Sequence, residues 1–236
     1  MPEEKRRKTK AGIITDLRKK IIIQRIIIAV MAIVIVFMGR CIAVVNNEGV
    51  SQNGEKPNWL SFDFVNVDKI RLERLEKAEI PEKIDVQIIG FDSNSRSGTK
   101  LEGFNDVVIH YVANPGSSAQ ANHDYYCNPE SEVSSHFIVG LDGEIIQCLP
   151  LTEMSAASNK RNVDTISIEV CHPDESGKFN DKTYESLVWL TSWLCETGKL
   201  KKDHIIRHYD VTGKLCPKYY VEHEDAWEQF KKDVKK

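Results

Sequence analysis

The chain has 236 residues, 41% hydrophobic and 28% charged, long for one domain and short for two, and this composition excludes a disordered, collagenous or multi-span membrane protein. The net charge of −3 hides an asymmetry: residues 1–45 hold ten Lys/Arg against three Asp/Glu, leaving 22 basic and 32 acidic groups in the remainder. A net-acidic body lacks the basic face that releases counterions from phosphates, which argues against nucleic acid as its partner.

Residues 1–20 form a basic tail, and Ile21–Val45 (IIIQRIIIAVMAIVIVFMGRCIAVV) follows, broken only by Gln24, Arg25 and Arg40. The charge-free stretch 26–39 is short for a hydrocarbon core of roughly 30 Å, but Arg25 and Arg40 can snorkel to opposite headgroup layers and let the flanks complete a span. We expect one transmembrane signal-anchor helix over residues 21–45. The basic flank places the N-terminus in the cytoplasm by the positive-inside rule and the rest outside, as a single-pass cell-membrane protein. A cleaved signal peptide is the rival, yet no small-x-small site follows the apolar run. Cys41 invites lipoprotein processing, which Arg40 before it disfavours.

Residues 46–83 read as linker and short stalk. Asn46–Pro57 is polar and Gly-containing, with nothing to form a core. Asn66–Glu79 places Val67, Ile70 and Leu75 among charges ahead of Pro81 and reads either as a short amphipathic helix or as a solvated stalk. The fourth region, 84–236, is expected to form the folded domain. Val107–Val112 is an apolar run with one His inside it, as a strand buried on both faces looks. His136–Gly140 and Glu144–Leu149 flank Asp142-Gly143 and predict a hairpin. Ile166–Cys171 reads as a further strand. Asp181–Glu196 has helical spacing and stops at Gly198, with Trp189 and Trp193 on the edge of its core-facing side. His204–His208 reads as a short strand and Glu224–Val234 as a closing helix with Trp227 and Phe230 inward. The expected fold class is α/β, a single mixed β-sheet flanked by helices, preceded by the transmembrane helix.

Chemistry concentrates in three places. His110 sits mid-strand among bulky apolar residues, where a lone His is by itself more often structural than a ligand. His208 leaves the end of a strand, a Gly-containing loop turns, and Cys216 returns with Lys214 two residues before it. Two neutral imidazoles and one thiolate suit zinc and leave a fourth tetrahedral position open, which is a catalytic arrangement rather than a structural one. Glu169 stands within the apolar run Ile166–Val170, where a carboxylate is costly unless its charge is used; a solvent-facing Glu on an edge strand is the bland alternative.

The segments Val107–Tyr111, Ser134–Gly143, Ile166–Glu169 and His208–Pro217 resemble the zinc-dependent N-acetylmuramoyl-L-alanine amidases, a family that includes amidase-type phage lysozymes and is related to the peptidoglycan recognition proteins. The resemblance covers roughly residues 85–235. It implies zinc ligands at His110, His208 and Cys216, catalytic roles for Glu169 and Lys214, and peptidoglycan as the partner. Some phage members carry a tyrosine at the place of Ser135, and certain members offer a His at the place of Asn159, so both positions are expected to face substrate. The expected reaction is hydrolysis of the amide joining N-acetylmuramic acid to L-alanine; a binding or sensing module of the same fold, without turnover, is the alternative. His136 is expected to be structural or to support the ligands, His123, His172, His204 and His223 to lie at the surface or in turns, and Asn114–Ser118 to turn beside the cleft. Cys127, Cys148, Cys171 and Cys195 can pair as one or two disulfides or remain thiols.

Overall fold

The computed structural model describes residues 66–235, together with Gln24, Arg25, Ile28, Val30, Met31 and Val36. The expected span 21–45, apart from those six residues, and the linker up to residue 65 lie outside the described residues. Among the described residues no helix is long and apolar enough to cross a membrane. All elements below belong to the unit Asp63–Lys236.

In chain order the elements are α1 (Val67–Glu76), β1 (Ile84–Val86), β2 (Asp106–Ile109), α2 (Ala119–Cys127), β3 (Phe137–Val139), β4 (Ile145–Gln147), β5 (Thr165–Val170), α3 (Asp181–Gly198), β6 (Ile205–Arg207), α4 (His208–Thr212), α5 (Lys218–Glu222) and α6 (Glu224–Asp233). The six strands form one sheet in the order β1-β4-β3-β5-β2-β6. Only the β3–β4 pair is antiparallel, and it is the predicted hairpin. Gly143 takes φ +83 at its turn, where any Cβ would meet Ser186 Oγ at 2.9 Å. The expected mixed sheet flanked by helices is present.

Strand alternation divides the core. Val107, Ile109, Phe137, Val139, Ile166, Ile168 and Val170 face the larger cluster, which α3 and α6 cover with Leu187, Leu190, Leu194, Trp227 and Phe230. The opposite face carries Ile138, Ile146, Cys148 and Cys171 under Ala119 and Tyr126 of α2. In a strand, period two places alternate residues on one face. The face that α2 covers therefore also receives Val108 and His110 beyond β2, and Ser167 and Glu169 of β5. Trp193 packs edge-on against Phe137, centroids 6.3 Å apart, on the core side as its spacing suggested.

Helix α3 ends at Gly198 as expected, with Lys199 in the left-handed cap (φ 55), and a Cβ at Gly198 would stand 2.5 Å from Phe104 Cε1. Two sequence expectations are corrected. His123 and His172 are buried rather than superficial. Each is accommodated by donating to a backbone carbonyl, His123 Nε2 to Gln87 O at 2.7 Å and His172 Nδ1 to Asp174 O at 2.8 Å. The short strand opens at Ile205 because His204 lies in a single 3-10 turn. There its Nδ1 meets Asp106 Oδ1 at 2.9 Å.

The choice left open for residues 66–79 is also decided. Asn66 caps α1 by accepting from Lys69 N at 3.1 Å, Leu75 is 1% exposed in the main core, and Phe104 N donates to Asp68 O at 2.9 Å. The folded unit thus takes in a segment that composition assigns to a stalk. Cys127, Cys148, Cys171, Cys195 and Cys216 are free thiols; Cys195 lies in the core on one side of the sheet, whereas Cys148 and Cys171 lie in the other.

Candidate metal centre and cleft

Strands β5, β2 and β6 run parallel, and the crevice outside the carboxyl ends of such strands is where α/β sheets bind ligands. His110 follows β2 directly, Glu169 is the penultimate residue of β5, and His208 follows β6. His110 N still donates to Ile168 O at 2.9 Å, so the ladder holds its backbone in register after the strand ends. The chain then reverses after α4: Gly213, at φ +77 with open space around it, caps the helix. Tyr209 N donates to Cys216 O at 2.9 Å, which sets Cys216 beside His208. Arg207, buried below this loop, clamps it by donating to Asp210, Tyr220 O and Glu224.

The result is a buried trio, His110, His208 and Cys216, whose ligand atoms all lie within 4.8 Å of one another. Cys216 Sγ is 3.8 Å from His110 Nδ1, and the two imidazole centroids are 4.6 Å apart. Burial, with His208 and Lys214 facing it, holds the His110 pKa well below its ordinary value, and burial with Lys214 lowers that of His208. Both rings are thus kept neutral, with lone pairs to offer. Burial and then Glu169 push the Cys216 thiol up to about 12, so the sulfur holds its proton until a cation supplies compensating charge. Two imidazole nitrogens and one sulfur, buried and convergent, fit zinc. The trio lines a cleft of about 210 Å³ together with Glu169, Lys214, Tyr111, Tyr126 and Ser134.

Glu169 reaches this cleft with Oε1 3.9 Å from His110 Nδ1, while its Oε2 is buried with no hydrogen-bond partner. Burial raises its pKa to about 8 against the opposing charge of Lys214. The solvent-facing alternative for this residue is excluded: β5 is a central strand, and the Glu169 side chain is 18% exposed. Lys214 is exposed at the cleft wall.

Neither of the two expected substrate positions is among the residues that line the cleft. Ser135 is fully buried, donating to Phe137 O at 2.8 Å, and its neighbour Ser134 lines the cleft in its stead. Asn159 places Oδ1 3.2 Å from His208 Nε2. Sequence reasoning missed Tyr126, whose buried hydroxyl is 3.4 Å from Ser135 Oγ and whose pKa burial and Glu169 push well up. The signal was the helical spacing of Ala119, His123 and Tyr126, the three buried residues of α2. His136 lies behind the cleft; its Nε2 donates to Glu153 O at 2.8 Å and its Nδ1 accepts from Ser167 N at 3.1 Å.

Residues 102–219 match the sequence profile of the family described as N-acetylmuramoyl-L-alanine amidase. The chain is 31% identical over 162 residues to the N-acetylmuramoyl-L-alanine amidase BlyA of Bacillus subtilis (strain 168), the match covering 60% of this chain and 44% of that one. It is 28% identical over 169 residues to CwlL of Bacillus licheniformis, covering 64% and 46%. The chain thus spans about half the length of the curated relatives it matches. Among solved structures, the catalytic domain of XlyA superposes with a TM-score of 0.57 at 28% identity, covering 64% of this chain and 99% of that domain.

Proposed function

We infer the activity from family and site together: the chain belongs to the N-acetylmuramoyl-L-alanine amidase family, and on that premise it hydrolyses the amide between the lactyl group of N-acetylmuramic acid and L-alanine in peptidoglycan. The observation that carries this reading is the convergence of His110, His208 and Cys216 at one end of the cleft with a partnerless Glu169 oxygen beside them. His110, His208 and Cys216 would hold zinc, which would supply a Lewis acid and lower the pKa of a water at the site to about 7. Glu169 accepts the proton of the attacking water and returns it to the departing amine, a two-way task that suits a carboxyl whose pKa is raised to about 8. Lys214 donates to the carbonyl oxygen as negative charge develops there. Tyr111 and Tyr126 wall the cleft.

The chain is anchored in the cell membrane by residues 21–45, with its N-terminus in the cytoplasm and the hydrolase outside, facing the wall. The apolar run itself and the helical, exposed Ile28, Val30, Met31 and Val36 support this. Two measurements test the reading. Full-length protein with one zinc per chain should release new alanine N-termini from purified cell wall, and Cys216→Ala should lose both metal and activity; zinc-loaded protein that releases none is a binding module instead. Alkaline washing should leave the chain in the membrane pellet, and its recovery in the supernatant would remove the anchor.

A further inference from the structure

The His110, His208 and Cys216 trio is flanked by two consecutive residues: Ser158, which no motif marks as functional, and Asn159, which the resemblance places toward substrate. Ser158 Oγ lies 3.2 Å from His110 Nε2, and Asn159 Oδ1 lies 3.2 Å from His208 Nε2. An amide oxygen only accepts, so the His208 ring carries its proton on Nε2 and leaves the Nδ1 lone pair free. On His110, Nδ1 is the nitrogen that faces Cys216 Sγ, at 3.8 Å, and Glu169 Oε1, at 3.9 Å. For Nδ1 to be a ligand there, Nε2 must be the donor, and Ser158 Oγ is the acceptor it meets.

We infer that Ser158 and Asn159 are the positioning residues of the metal centre: one turn of chain holds the outer nitrogen of both imidazoles, so that both rings present Nδ1 to the same ion. This rests on the zinc reading above and deepens it. The turn is built to hold still. Asn162 Oδ1 accepts from both Ala157 N at 3.2 Å and Ser158 N at 2.6 Å. Arg161 N donates to Ser158 O at 3.0 Å and Asn162 N to Asn159 O at 3.1 Å. Below, Arg161 pairs with Asp164 and with Asp106 at the start of β2, the strand that His110 follows. Asn159 keeps φ at +52, a region in which Asn is several-fold enriched among non-glycine residues. Its Oδ1 meets His208 from an exposed position on this turn. A partner of this kind fixes the tautomer of a ligating His, and its loss typically costs 10–100-fold in metal affinity.

The test uses the full chain and three variants. Asn159→Gly keeps the left-handed backbone and removes only the acceptor; Asn159→Asp restores it; Ser158→Ala removes the other. Zinc affinity is read by chelator competition, coordination by the visible spectrum of the cobalt-substituted protein, and folding by the melting of metal-free protein. We expect Asn159→Gly and Ser158→Ala each to weaken zinc about 10–100-fold and to alter the cobalt spectrum, with metal-free melting of Asn159→Gly little changed and Asn159→Asp close to the parent in affinity. Unchanged affinity and spectrum in Asn159→Gly would overturn the inference even where Ser158→Ala fails to fold. A parent chain that binds zinc and cuts cell wall alongside such variants refutes only this inference; a parent that binds no zinc refutes the proposed function and this with it.

Discussion

His110 and Glu169 come from adjacent parallel strands and stand on the same face of the sheet, Nδ1 3.9 Å from Oε1. Neither was identifiable as functional by itself. Their neighbourhood follows from period-two alternation in two strands whose register pairs Ile109 with Ile168, and it sets a carboxyl against the nitrogen that would bind the ion.

Glu169→Gln keeps size and shape but removes the proton acceptor. Turnover on cell wall should fall about 10²–10⁴-fold with zinc stoichiometry unchanged. Because burial raises the carboxyl pKa to about 8, the folded state binds more protons than the unfolded one between about pH 4.3 and pH 8, and this group's contribution to stability falls as pH rises through that window. The metal-free Gln variant should therefore melt higher than the parent at pH 8.5; equal melting would show that the carboxylate is solvated there.

Lys214→Ala should lower kcat about 10²–10³-fold, the typical loss for one oxyanion donor, while zinc binding and melting temperature stay close to those of the parent, since the side chain is exposed. Unchanged turnover would remove Lys214 from the mechanism.

The neutral ring of His136 is doubly engaged, donating to Glu153 O and accepting from Ser167 N, and protonation would cancel the second bond. Burial lowers its pKa to about 4. The unfolded state consequently binds the extra proton first, so this group's stabilising contribution is full above about pH 6.5 and falls as pH drops toward 4, by on the order of 3 kcal/mol. In urea unfolding of metal-free protein, the parent should be more stable than His136→Gln at pH 7, and that margin should narrow by pH 5. A margin independent of pH would show that His136 does not titrate on unfolding.

Leu75→Ala should cost about 2–5 kcal/mol in global unfolding, the range for a large residue emptied from a core, because the side chain packs among the main-core residues. A solvated stalk would lose less than about 0.5 kcal/mol; a loss that small would detach α1 from the folded unit.

Much of this architecture was legible because its signals were local. Asp142-Gly143 between apolar runs announced the β3–β4 hairpin, and the spacing of Leu187, Leu194 and Cys195 announced α3. The trio His110, His208 and Cys216 could be read because two of its members lie eight positions apart around a turn. What escaped depends on partners distant in sequence. Tyr126 enters the cleft from a helix whose mean character is polar, and the need for a glycine at 198 shows only when Phe104 is placed beside it. The contact of Asn159 with His208, 49 residues later, is of the same long-range kind.

The docking of α1 has an architectural consequence. Asp68 and Arg71 meet Phe104, Asn105 and His204, at the amino-terminal ends of β2 and β6, whereas the ion-binding trio sits beyond the carboxyl-terminal ends of those strands. Within the folded unit α1 therefore packs at the pole opposite the mouth, so its contacts brace the sheet without entering the space before His110, His208 and Cys216.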